Sequence, residues 1–209
     1  MYKALLFDMD GTLVDTFDLI YSSFNKALEE NGKRTLTKSE FKERLFGKPV
    51  DSTLPGLLDV DSKEEAKRIL KSFEIYWLRD LKKVKVFKNV FITLQRLKGM
   101  GLKLGVVSTS PRDVIEETLR ETSVYPFFDV IIGEEDVKMK KPHKEPVASA
   151  LKLLRVRPCD AAFVGDTIYD MQAAKSAGCE AILVLNGHNK DVLKSFKPDR
   201  VIGSIEELL

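Results

Sequence analysis

The sequence predicts an α/β chain: a parallel sheet covered by helices, interrupted after its first strand by a helical insert. Three observations carry that reading. From residue 86 onward, short apolar runs alternate with amphipathic segments, the pattern of strands buried on both faces. From Thr16 to about Lys85, by contrast, the texture is helical. Reactive side chains then recur just after the apolar runs, where open parallel sheets place their ligands.

The first run, Ala4-Leu5-Leu6-Phe7, is uncharged and reads as a buried strand. Asp8 and Asp10 follow it. If the chain is still extended there, residues two apart point the same way, so two carboxylates face one spot. Gly11 then permits a turn that a side chain would resist.

In the insert, Phe17, Ile20, Phe24 and Leu28 mark one helical face, closing near Asn31-Gly32. Thr37-Lys38-Ser39-Glu40 is a capping-box pattern that opens a second helix, running through Leu45. Gly47-Lys48-Pro49 breaks it, and Lys48 on that loop is a candidate substrate contact. A longer helix after Asp61-Ser62 carries Ala66, Ile69, Phe73, Trp77 and Leu81 on one side, which reads as the insert's own core.

Beyond Lys85, Asn89–Lys98 is amphipathic, and the run from Leu102 through Val107 is a strand. A helix follows from Pro111 to Glu121, its proline suited to the first turn. Val130 to Ile132 and Ala161 to Val164 are further strands, with a helix near Glu145 to Leu154 between them. Ile168 to Ala177 is a helix ended by Gly178. Ala181 to Leu185 and Arg200 to Ile202 complete the sheet. Gly99, Gly101 and Gly105 precede a strand and open no helix, so they are no nucleotide-binding fingerprint.

Composition bounds the function. The 209 residues are 44% hydrophobic, enough for one large domain or a core with a modest insert. Charged residues make up 32%, yet the net charge is only +2, so no nucleic-acid footprint is expected. The run Lys82-Lys83-Val84-Lys85 reads as a solvated linker. Cys159 and Cys179 stand far apart without metal spacing, and the first apolar run meets Asp8 after four residues. A reduced, cytoplasmic protein without a membrane span, monomeric or weakly dimeric, is expected.

The strand ends supply the chemistry: Asp8 and Asp10, Ser108 and Thr109, Lys141-Pro142, then Gly165-Asp166 and Asp170. Two carboxylates ~4 Å apart repel by about 4 kcal/mol at an effective dielectric of 20. Asp8, Asp10 and Asp166 therefore need a hard cation to gather, and an all-oxygen set suits Mg²⁺. A lysine and hydroxyl donors facing a metal make a phosphate cradle.

These residues carry a resemblance. The chain is similar to the haloacid dehalogenase (HAD) superfamily, in particular its phosphatases with a helical cap of the phosphoglycolate-phosphatase kind. Asp8-x-Asp10-Gly11-Thr12-Leu13-x-Asp15-Thr16 matches the first family motif, and Val106-Val107-Ser108-Thr109 the second, with Ser where Thr is commoner. Lys141-Pro142-x-x-x-Pro146 matches the third, and Val164-Gly165-Asp166-Thr167-x-x-Asp170 the fourth.

The resemblance implies a Rossmann-like core of residues 1–15 and 86–209, with residues 16–85 as a helical cap domain. It implies Asp8 as the nucleophile that forms an aspartyl-phosphate, and Asp10 as the general acid and base. Mg²⁺ would be held by Asp8, Asp166 and the Asp10 carbonyl, with Asp170 behind the direct ligands. Ser108, Thr109 and Lys141 would bind the phosphoryl oxygens of a small phosphorylated metabolite. A phosphomutase of the β-phosphoglucomutase type shares every motif, and a non-catalytic regulatory protein is a further alternative. Asp15 and Asp18 read as turn or cap residues, and His143 and His188 as surface residues.

Overall fold

The computed structural model describes residues 2–46, 54, 60, 62–186 and 191–209. The Gly47-Lys48-Pro49 loop and His188 lie outside these residues, so the substrate contact expected of Lys48 does too. The chain divides into two compact units, Met1–Asp15 with Lys85–Leu209, and Thr16–Val84.

The first unit begins with β1 (Ala4–Phe7) and β2 (Val14–Asp15). The second holds α1 (Phe17–Glu30), α2 (Lys38–Arg44) and α3 (Lys63–Asp80). The chain then re-enters the first unit with β3 (Lys85–Val86), α4 (Val90–Gly99), β4 (Lys103–Val107), α5 (Arg112–Glu121) and β5 (Val130–Ile132). It finishes with α6 (Glu145–Leu154), β6 (Ala161–Gly165), α7 (Ile168–Ala177), β7 (Glu180–Val184), α8 (Val192–Ser195) and β8 (Arg200–Ile202).

Six strands form a parallel sheet in the order β5-β4-β1-β6-β7-β8. This is the expected Rossmann-like α/β core. Its central strand is β1, whose four residues are all fully buried. Ala4 and Leu6 pack in one cluster with Val147, Ala150 and Leu151 of α6 and Met171, Ala173 and Ala174 of α7. Leu5 and Phe7 point to the opposite face, as strand alternation requires. Each such leucine or phenylalanine contributes about 1.5–3 kcal/mol by leaving water.

Register then sets the site. Phe7 pairs with Val106 of β4 on one side and Val164 of β6 on the other. Asp8, Ser108 and Asp166 thus leave three adjacent strands at nearly one level. The Thr16–Val84 unit has its own core, in which Phe17, Phe24, Leu28, Phe41 and Ile69 are buried. Phe73 joins Phe24 and Trp77 there at ring-centroid distances of 5.7 and 5.2 Å. The Thr37–Glu40 capping box forms as expected, and Ser62 caps α3.

One detail differs from the sequence reading. Asp15 is neither a turn nor a cap residue: β2 pairs antiparallel with β3, Val14 against Val86 and Asp15 against Lys85. Two-residue strands are too short to leave an alternation in the sequence. Asp18 lies in the first turn of α1 and pairs with Lys38 at 2.6 Å, on the surface. Among the described residues, no helix is long and apolar enough to cross a membrane.

Candidate active site

The site forms where the carboxyl ends of β1, β4 and β6 meet the loop before α6. Asp8 continues β1, and its amide donates to the Val164 carbonyl at 2.9 Å, which holds it in line with the sheet. Lys141 enters from the loop between β5 and α6, and its side chain is only 5% exposed. Its ammonium donates to Asp8 Oδ1 at 2.7 Å, Asp170 Oδ1 at 2.6 Å and the Val107 carbonyl at 3.2 Å. The three ammonium hydrogens are thereby all placed. The same nitrogen lies 5.6 Å from the centre of the Phe163 ring.

Asp170 is fixed from both sides. Its Oδ2 accepts from the Thr167 amide at 2.9 Å and the Thr167 hydroxyl at 2.6 Å, the capping box of α7. Helix capping and lysine positioning therefore use one carboxylate. Gly165 allows that helix to start so near the strand, because a Cβ there would lie 2.4 Å from the Asp170 Cβ. Asp166 accepts from the Thr12 hydroxyl at 3.1 Å through its Oδ1. The turn that carries Thr12 is held by Asn186, whose amide donates to the Gly11 carbonyl at 2.7 Å and the Thr12 carbonyl at 3.3 Å.

Asp8, Asp166 and Asp170 each offer a carboxylate oxygen, all within 4.8 Å of one another, and all three residues are buried. Burial pushes the Asp8 carboxyl up to about 7, with Asp170 and Asp10 adding to the rise and Lys141 opposing it. Asp166 is raised well above the usual carboxylate range by burial and by Asp8 and Asp170, against the pull of Thr12 and Lys141. Lys141 behaves in the opposite sense. Burial alone would lower it, but Asp170 and Asp8 outweigh that and hold it charged. Burial and mutual repulsion thus disfavour the ionised forms of Asp8 and Asp166, and a divalent ion with oxygen ligands would favour them. The donor set fits such an ion.

Asp10, by contrast, turns its carboxylate to another partner: the Ser110 hydroxyl donates to its Oδ2 at 3.3 Å. Ser108 is buried behind β4, and its hydroxyl accepts from the Ser110 amide at 3.1 Å. Thr109 lies beside them, half-buried. The sequence-derived residues Asp8, Asp10, Ser108, Thr109, Lys141 and Asp166 thus all lie at the carboxyl end of one sheet. The sequence reading assigned no role to Ser110, Asn186 or Thr12. Thr12 stood in the quoted first motif and Ser110 next to the second, so a signal was present for both. His143 is exposed, as expected.

A family model described as haloacid dehalogenase-like hydrolase matches residues 5–184. The chain belongs to this family. Among its relatives are proteins named Pyrophosphatase PpaX. That of Bacillus mycoides is 32% identical, the match covering 99% of this chain and 95% of the relative. That of Bacillus velezensis is also 32% identical, over 99% and 94%. The solved structure of a predicted phosphoglycolate phosphatase from Haemophilus somnus superposes with a TM-score of 0.87 at 25% identity, covering 99% and 96% of the two chains. CbbY of Rhodobacter sphaeroides, solved with phosphate, shares the fold with a TM-score of 0.87 at 24% identity over 100% and 96%. Family and relatives together place this HAD hydrolase among enzymes of the phosphatase type.

Proposed function

We propose that this hydrolase is a Mg²⁺-dependent phosphatase that acts on a small phosphomonoester through an aspartyl-phosphate on Asp8. The observation that supports it best is the buried trio of Asp8, Asp166 and Asp170 with Lys141 inserted between Asp8 and Asp170. Asp8 and Asp166, with the Asp10 carbonyl that the resemblance adds, would hold the metal, and Asp170 would anchor Lys141. When bound, Mg²⁺ supplies positive charge against the phosphoryl oxygens and the carboxylates.

The remaining chemistry belongs to the chain. An Asp8 carboxylate oxygen attacks phosphorus, and the bond from phosphorus to the leaving oxygen breaks. Asp10 gives its proton to that oxygen, so an alcohol departs. Asp10 then takes a proton from water. The water oxygen attacks phosphorus and the bond to Asp8 breaks, releasing phosphate and restoring both acids. Lys141, which would exchange one of its three hydrogen bonds for a phosphoryl oxygen, and the hydroxyls and amides of Ser108 and Thr109 hold the phosphoryl oxygens during both transfers. The division into a core, 1–15 with 86–209, and a cap, 16–85, belongs to the same proposal.

The pyrophosphatase and phosphoglycolate-phosphatase names of the relatives point to small substrates with a second negative group. The test is phosphate release from phosphoglycolate, pyrophosphate, a sugar phosphate and an aryl phosphate, each with EDTA and then excess Mg²⁺. Release that EDTA abolishes and Mg²⁺ restores supports the proposal. Full activity in chelator, or none with any phosphate compound, contradicts it.

A further inference from the structure

The Ser110 hydroxyl is the feature of the site that the proposed chemistry leaves unused. Ser110 is 8% exposed and stands three residues beyond the end of β4. Its three polar groups are all engaged in the core unit. The hydroxyl donates to Asp10 Oδ2, the amide donates to Ser108 Oγ, and the carbonyl accepts from the Glu134 amide at 3.1 Å in the loop after β5. One residue therefore ties three strand ends together: the loop after β1, the phosphate-binding end of β4 and the loop after β5.

We propose that Ser110 is a positioning residue for Asp10, holding its carboxyl in the conformation from which a proton passes to the leaving oxygen. This rests on the reading of Asp10 as the general acid. At 3.3 Å the contact is longer than a fully formed O–H···O bond. Catalytic hydrogen bonds are often long before substrate binds and tighten in the reacting complex. The Ser110 amide on Ser108 Oγ gives the hydroxyl a fixed base from which to act, so the acid and the phosphate cradle are set relative to each other.

Proton donation matters most when the leaving group is poor. The test therefore compares kcat/KM on an alkyl phosphate and on a nitrophenyl phosphate for the wild type and for Ser110→Ala, Ser110→Cys, Ser110→Thr and Asp10→Asn. Ser110→Ala and Ser110→Cys are expected to lose about tenfold on the alkyl phosphate, the scale of one hydrogen bond to a neutral carboxyl. The nitrophenyl phosphate should lose far less, and Ser110→Thr, which keeps the hydroxyl, should stay near wild type on both. Equal losses on the two substrates, or none, with Asp10→Asn still selective for the alkyl phosphate, would overturn the role of Ser110 and leave that of Asp10 standing. If Asp10→Asn itself shows no such selectivity, the assignment of Asp10 fails and the proposal fails with it.

Discussion

Gly11 leaves no room for a side chain against Asp166. The glycine has φ +80°, and a Cβ on it would lie 2.5 Å from the Asp166 Oδ2. The turn after the first strand is thus built around a carboxylate that arrives from the fourth motif, more than 150 residues later. The relationship gives Gly11 two separate reasons to be glycine: its backbone conformation and the closeness of the acid.

Gly11→Ala should separate these two effects when set against Gly32→Ala. Gly32 has φ +69° but nothing within 4 Å of an added Cβ. Alanine in the left-handed region costs about 1–2 kcal/mol, and both variants should lose that much in urea unfolding. Only Gly11→Ala should also raise the Mg²⁺ concentration needed for half-maximal activity, because it displaces Asp166. An unchanged Mg²⁺ requirement would mean that Asp166 does not hold the metal.

Lys141→Met leaves Asp8 and Asp170 facing each other without their shared cation. Breaking a buried ion pair from one side costs about 3–5 kcal/mol. That loss is expected in urea unfolding with EDTA present, and Asp170→Asn on top of it should restore part of the stability. A loss below about 1 kcal/mol would show that the acids are already neutral or solvated.

The buried acids also set a pH dependence for the metal-free protein. Burial pushes Asp8 up to about 7, and Asp166 shifts the same way. From the usual carboxylate value near 4 up to about 7, the folded chain then keeps protons that the unfolded chain has lost. Stability contributed by these groups is present at the acidic end of that window and falls as pH rises through it. The melting temperature in EDTA should therefore decline between about pH 5 and 8, and Mg²⁺ should raise it more at pH 8 than at pH 5. A melting temperature in EDTA that rises over that range contradicts this balance of charges.

The six strands of the main sheet and most helices were legible as short apolar runs and amphipathic segments, and the Thr37–Glu40 capping box was legible because it is local. The site was legible as motifs at strand ends, since parallel strands in register bring such ends together. What escaped was made by contact between distant segments. Thr12 meets Asp166 and Asn186 meets Gly11 across 154 and 175 residues, and the motif that contains Thr12 does not say which side chain it meets. Ser110 holds Asp10 across 100 residues in the same way. The β2–β3 ladder, Val14–Asp15 against Lys85–Val86, was too short to leave a pattern.

Asp10→Asn keeps the nucleophile and removes the proton donor. Turnover on an alkyl phosphate should fall by about 10²–10⁴-fold. Retention of full turnover would remove Asp10 from the reaction.

The most direct measurement is of the covalent intermediate. Enzyme with Mg²⁺ and substrate is quenched in acid during turnover, and the intact mass and peptide map are recorded with and without hydroxylamine. A phosphoryl group on Asp8 that survives acid, is released by hydroxylamine and is missing from inactive Asp8→Asn is the predicted result. Sustained turnover by Asp8→Asn, or a phosphoryl group on any other residue, would contradict the account.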